Sequence, residues 1–191
     1  MSASSSSSDF VSSAEPSCNI ELKARIASLD SARETAQGVA DERLPDQHQI
    51  DTYFRCESGR LKLREIVGER AELIAYERPD QKSAKTSRYY VVPVDSPQRL
   101  KEALTMTLGV RGIVDKRREI YLHKNVRIHL DRVSQLGTFL EFEAVLGKGY
   151  DEATSAEFVR ELRSRFAIED PDLIDHSYGD MLAKDGRAAS R

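Results

Sequence analysis

Two short stretches at opposite ends of this 191-residue chain carry charged groups at strand spacing. Asn19-Ile20-Glu21-Leu22-Lys23-Ala24-Arg25-Ile26 alternates strictly, and Phe139-Leu140-Glu141-Phe142-Glu143 repeats the pattern. Alternate side chains of a strand share a face, so Asn19, Glu21, Lys23 and Arg25 form one row and Glu141 and Glu143 another. Carboxylates are hard oxygen ligands for divalent cations, whereas Lys and Arg complement polyanions. Acids and bases projecting together from several strands imply a site for a metal ion and a polyanion.

The intervening sequence adds to both sets. Lys62 and Arg64 lie opposite Leu61 and Leu63, and Arg78 closes the next apolar run. Lys116 and Arg118 follow, then Arg127, His129 and Asp131 in step, opposite Ile128 and Leu130. Each strand thus has one apolar and one charged side, and two arrangements satisfy that pattern. An open antiparallel sheet packs its apolar face on helices and shows its charges to water. A closed sheet turns the charges inward and covers its apolar outside with helices. Buried ions are costly unless paired or bound, so closure requires a highly charged ligand and cations inside. Parity alone does not separate the two.

The elements that must hold these residues can be read from caps and periodicity. Ser28 or Asp30 can cap a helix running to about Ala40, followed by a loop with Pro45. Strands are expected at 49–54, 60–65, 72–78, 88–94, 114–122, 126–133 and 139–146, besides the first. Helices are expected at Pro97–Leu108, stopped by Gly109, at 151–166, and from Leu173 to Leu182. Eight strands with inserted helices and no β-α-β rhythm imply an antiparallel, barrel-like α+β domain.

Composition narrows the function classes. Net charge is −3, from 29 Lys+Arg against 32 Asp+Glu, so no global basic field points to nucleic acid. Two cysteines, Cys18 and Cys56, make neither a disulfide framework nor a zinc ligand set and fit a reducing, cytoplasmic compartment. No apolar run is long enough for a membrane span. Residues 1–17 hold nine serines and no periodicity, which reads as a disordered tail ahead of a domain at 18–185 and a short tail at 186–191.

Taken in order, these residues resemble a known family. Asn19-x-Glu21-x-Lys23 is similar to the ExExK signature of the CYTH superfamily, the triphosphate tunnel metalloenzymes. Gln49-x-Asp51-x-Tyr53-Phe54, Leu61-Lys62-Leu63-Arg64-Glu65, Lys116-Arg117-Arg118 with Tyr121, Arg127-Ile128-His129-Leu130-Asp131 and Val133-x-x-Leu136-Gly137-x-Phe139-Leu140-Glu141-Phe142-Glu143 follow in the family's order and spacing. The combination is most similar to class IV adenylyl cyclases and their bacterial relatives. It departs in two places: Asn19 stands at the first acidic position, and Tyr76-Glu77-Arg78 where many relatives carry a Lys.

The resemblance implies an eight-stranded antiparallel barrel whose charged faces point into a tunnel. On that pattern Glu21, Glu141 and Glu143 hold Mg²⁺ or Mn²⁺, with Asp131 nearby as a ligand or water-positioning group. Lys23, Lys62, Arg64, Arg78, Arg88, Lys116 and Arg118 clamp phosphate oxygens, and Lys23, Asp131 and Glu141 are the catalytic set. Gln49 and Asp51 would orient a Lys or Arg. The implied function is hydrolysis of inorganic triphosphate or a triphosphate ester. The alternatives are class IV adenylyl cyclase chemistry on ATP, and a non-catalytic polyphosphate-binding module. Family members often pair through an exposed barrel flank, which implies a homodimer.

Overall fold

In a computed structural model the chain is described over residues 16–77, 84–147 and 149–184. The strands are β1 (Ser17–Arg25), β2 (Glu42–Phe54), β3 (Arg60–Ile66), β4 (Arg70–Glu77), β5 (Lys85–Val94), β6 (Val110–His123), β7 (Val126–Val133) and β8 (Gly137–Val145). They close into a barrel in the order β1-β5-β4-β3-β2-β6-β7-β8, every neighbouring pair antiparallel. The first strand is the closing one, held by β8 from Asn19 to Arg25 and by β5 from Ser17 to Glu21.

The helices α1 (Leu29–Val39), α2 (Pro97–Leu108) and α3 (Glu152–Arg165) show why the closed arrangement wins. Ile20, Leu22, Ala24, Ile128, Leu130, Leu140 and Phe142 face outward and are buried with Leu29, Ala32 and Ala36 of α1 and Val159 and Leu162 of α3. Each such aliphatic or aromatic side chain contributes about 1.5–3 kcal/mol when fully buried. On another flank, Leu61, Leu63 and Ala71 meet Leu100 and Leu104 of α2. The apolar parity is thus satisfied outside the wall, which leaves the charged parity for the lumen.

A fourth helix, α4 (Tyr178–Lys184), seals one end. Tyr178 and Leu182 pack among Tyr53, Val114, Val133 and Phe139, inward-facing residues of four strands. The barrel is therefore a cup with a floor.

Caps follow the sequence reading. Ser28 Oγ accepts from the Ser31 amide at the start of α1, and Asp151 Oδ1 from the Thr154 amide at the start of α3. Gly109 ends α2 at φ 74°, a conformation that costs glycine little. Three expectations are corrected. The segment with Pro45 belongs to β2, whose pairing with β6 shifts register between Leu44 and Gln47; a bulge absorbs the missing amide of proline. Strand β5 opens at Lys85 rather than at 88. Leu173 forms a bridge with Ala24 after a short 3₁₀ turn at Asp170–Asp172, so the last helix begins at Tyr178 rather than at Leu173. The expected tails lie outside the described residues, apart from Pro16 and Ser17, the latter opening β1. No described helix is long and apolar enough to cross a membrane.

Candidate functional site

Register assembles the site. Pairing of β1 with β8 sets Lys23 beside Glu141 and Glu21 beside Glu143, and β7 extends those rows with His129 and Arg127. Pairing of β6 with β7 sets Arg118 beside Asp131; β2 sets Asp51 beside Arg64 and Gln49 beside Lys116. Most of the acids therefore line the β1–β8–β7 wall, and most of the bases face them from β3 and β6. Between them lies a cavity of about 470 Å³, within the roughly 300–1,000 Å³ usual for small-molecule sites.

Two buried carboxylates hold the bases in place. Asp51, 0% exposed, accepts Arg64 Nε and Nη2 at 2.8 Å each and Lys62 Nζ at 3.0 Å, with Lys116 Nζ at 3.5 Å. Asp131, also 0% exposed, accepts Arg118 Nε at 2.7 Å, Arg118 Nη2 at 2.6 Å and Tyr178 Oη at 2.8 Å. Glu141 bridges the two walls, with Lys23 Nζ at 3.1 Å on one oxygen and Arg118 Nη2 at 2.8 Å on the other. The Lys23 ammonium rests 3.9 Å from the Tyr178 ring centroid.

Proton affinities follow from this packing. Burial alone would raise the Asp51 carboxyl, but Arg64, Lys62 and Lys116 hold it well below the usual range. Burial is likewise outweighed at Asp131 by Arg118 and Lys116, and at Glu141 by Lys23, His129 and Arg118. All three remain ionised. Burial and the neighbouring Arg64 pull Lys62 down to about 8 despite Asp51, and burial with Arg118 pulls Lys116 well down. His129 is lowered by burial and by Arg118 against the pull of Glu141 and Glu143, so its imidazole is neutral at pH 7. Lys62, Arg64 and Lys116 crowd round the single carboxylate of Asp51, the condition in which a polyanion is welcome.

The donor chemistry of the acidic wall fits a hard divalent cation. Asn19 Nδ2 donates to Glu143 Oε1 at 2.6 Å, while Asn19 Oδ1 is buried with no hydrogen-bond partner. That oxygen, Glu21, Glu141 and Glu143 are the ligand types that Mg²⁺ or Mn²⁺ takes. Among the described residues, no three His, Cys, Asp or Glu side chains stand close enough together to hold a metal ion by themselves. A cation here would complete its shell with water and ligand oxygens, the usual Mg²⁺ arrangement.

Of the residues singled out in the sequence, Glu21, Lys23, Lys62, Arg64, Lys116, Arg118, Glu141 and Glu143 line one cavity. Asp131 lies behind the wall, fully buried and outside the cavity lining, bound to Arg118 and Tyr178. Arg88 is not brought to the lumen: Ser87 and Tyr89 face inward from β5, and Arg88 is exposed on the outside beside a second cavity. Arg78 lies outside the described residues. Tyr178 was missed, because nothing in its local sequence distinguishes it from any apolar residue of a short helix.

The family whose description matches the sequence is the CYTH domain, over residues 17–178. No curated protein sequence matches. Among solved structures, a Pyrococcus horikoshii protein aligns with a TM-score of 0.76 at 23% identity, over 85% of this chain and 98% of its own. A Vibrio parahaemolyticus adenylate cyclase candidate aligns with a TM-score of 0.66 at 21% identity, over 86% and 97%. An adenylyl cyclase candidate from Hippeastrum with a dominant triphosphatase activity aligns with a TM-score of 0.60 at 14% identity, over 91% and 97%.

Proposed function

This chain belongs to the CYTH domain family, and on that premise we propose that it is a divalent-metal-dependent phosphohydrolase acting on a triphosphate compound. The observation that carries the reading is the cup itself. Lys62, Arg64, Lys116 and Arg118 converge from β3 and β6 on a lumen whose other wall bears Glu21, Glu141 and Glu143, with Lys23 set among those acids on β1. Arg118 and Arg64 spend the Nε/Nη2 edge of the guanidinium on Asp131 and Asp51, which fixes their planes and leaves Nη1 to donate to phosphate oxygens, and the lysines act as point charges. Asp51 and Asp131 keep those cations at set positions, so little side-chain entropy is lost when phosphate arrives.

Glu21, Glu141 and Glu143, with the Asn19 amide oxygen, would hold Mg²⁺ or Mn²⁺. Bound there, the cation would act as a Lewis acid and withdraw charge from the phosphate oxygens. Lys23 meets the terminal phosphate at the floor. Glu141, kept ionised by its two cations, orients the attacking water by accepting from it and is too weak a base to store a proton. Asp131 works through Arg118 and Tyr178, not by touching substrate. The protein's share of catalysis is positioning and electrostatics.

The test is to supply inorganic triphosphate and ATP in parallel with Mg²⁺ or Mn²⁺ and to assay orthophosphate and cyclic AMP. Orthophosphate without cyclic AMP supports the hydrolase; cyclic AMP with pyrophosphate replaces it with the cyclase. Binding without either product makes the cup a polyphosphate receptor. Glu141→Gln and Lys23→Ala should each lower turnover roughly 10²–10³-fold, with the far-ultraviolet dichroism of the folded barrel unchanged. Wild-type rates in either would remove that residue from the site.

A further inference from the structure

The acidic wall is less open than a row of carboxylates implies. Both oxygens of Glu141 are engaged, one by Lys23 at 3.1 Å and the other by Arg118 at 2.8 Å. Glu143 is held in the same way: Asn19 Nδ2 donates to its Oε1 at 2.6 Å, and Arg127 Nη1 to its Oε2 at 3.3 Å. His129 stands further off, 3.6 Å from Glu141 and 3.9 Å from Glu143. A hydrated divalent cation arriving alone would have to displace these donors and give up water as well, and Mg²⁺ dehydrates reluctantly.

The four donors are not equally fixed. Arg118 is pinned by Asp131, and the Lys23 ammonium rests on the Tyr178 ring. Asn19 is 1% exposed, and an amide beside a carboxylate must turn its N–H toward it. Arg127 differs from all three. It is the second residue of β7, its side chain is 48% exposed, its contact is the longest of the four, and it still lines the cavity. A half-exposed ion pair at that distance is weak, so an incoming anion can draw the guanidinium away. Glu143 Oε2 is then released beside the Asn19 amide, whose own oxygen is buried without a partner. Arg127 lies two residues of β8 above the level of Lys23, opposite the phosphates farther from the floor.

We propose that Arg127 is a swinging cap: it covers Glu143 until a triphosphate enters, then turns to the outer phosphates, so that the divalent cation is accepted together with the triphosphate and not ahead of it. This rests on the reading of the lumen as a metal–triphosphate site. Lys23 and Arg118 act in the same sense, because each donor they give to phosphate loosens their hold on Glu141. Asn19 sets the order. An acid at that position would repel Glu143 rather than donate to it and would add a ligand of its own, so the cation could then bind first. By linkage the coupling is mutual, each ligand strengthening the other.

The experiment is calorimetry of the full chain with two separate probes, Mn²⁺ alone and inorganic triphosphate in EDTA. The wild type should show no saturable uptake of micromolar Mn²⁺. Arg127→Ala should bind Mn²⁺ alone about tenfold tighter than the wild type and triphosphate about tenfold more weakly. Asn19→Asp should also tighten Mn²⁺ binding about tenfold without tightening triphosphate. A loss of fold would weaken both ligands, so the opposite signs in Arg127→Ala report the swing itself. Unchanged affinity for either probe in Arg127→Ala would overturn the swing and leave the phosphate site standing, and unchanged Mn²⁺ affinity in Asn19→Asp would overturn the part given to Asn19. Saturable micromolar Mn²⁺ binding to the wild type would overturn the order whatever the variants do. Failure of triphosphate to bind the wild type would remove the phosphate site and the swing together.

Discussion

Asp51 is the residue on which the cup depends. It is buried among Arg64, Lys62 and Lys116, and without its charge those cations would face only one another. Removing one partner of a buried pair typically costs about 3–5 kcal/mol, so Asp51→Asn should lose that much in denaturant unfolding. Inorganic triphosphate should restore part of it by supplying the missing anion. Lys62 gives a pH signature. Its proton leaves at about 8, so phosphate affinity should fall as pH rises through 8, and Lys62→Arg should flatten that step. The stability term has the opposite sign. An unfolded lysine keeps its proton to higher pH, so the unfolded chain binds more protons above pH 8 and this group adds stability as pH rises there. Strand parity in the sequence told which side chains share a face, but not which would already be engaged. Asp131 reads as a free carboxylate until the β6–β7 register delivers Arg118 to it. Arg88 was drawn in by the family pattern, and the inward phase of β5 near it, Ser87, Tyr89 and Val91, holds no charge that would have revealed the true parity.

Among the elements, α4 has the largest effect for its size. Seven residues, Tyr178–Lys184, convert an open barrel into a cup. Its Tyr178 hydroxyl donates to Asp131 and its ring supports Lys23. Tyr178→Phe keeps the ring and removes a hydrogen bond to a charged group, a loss of about 1.5–3 kcal/mol. Thermal unfolding should show that loss, with Lys23-dependent phosphate binding largely kept. Helices α1, α2 and α3 were legible because caps and apolar spacing coincide at their ends. The start of α4 was not: Leu173 continues the apolar rhythm, but its bridge to Ala24 draws it onto the wall. The Pro45 segment was read as a loop for a similar reason, since proline ends most strands and only a bulge admits it.

At the scale of the molecule, the alternation of greasy and charged residues was visible from the start, and the sense of closure was not. What decides it is the cover, since α1 and α3 bury the outer faces of β1, β7 and β8 and so commit the other faces to the lumen. The floor has a further, kinetic consequence. Among the described residues α4 stands across one end of the lumen, so whatever goes in first should come out last. On the proposed hydrolysis, cleavage of the terminal phosphate would leave orthophosphate at the bottom and the diphosphate above it, so the two products would depart in a fixed queue. Orthophosphate, last to leave the protein, should inhibit competitively against substrate, whereas the diphosphate should inhibit noncompetitively. Initial-rate product-inhibition plots would read the order directly, and the reverse pattern would mean that the back wall opens during each turnover.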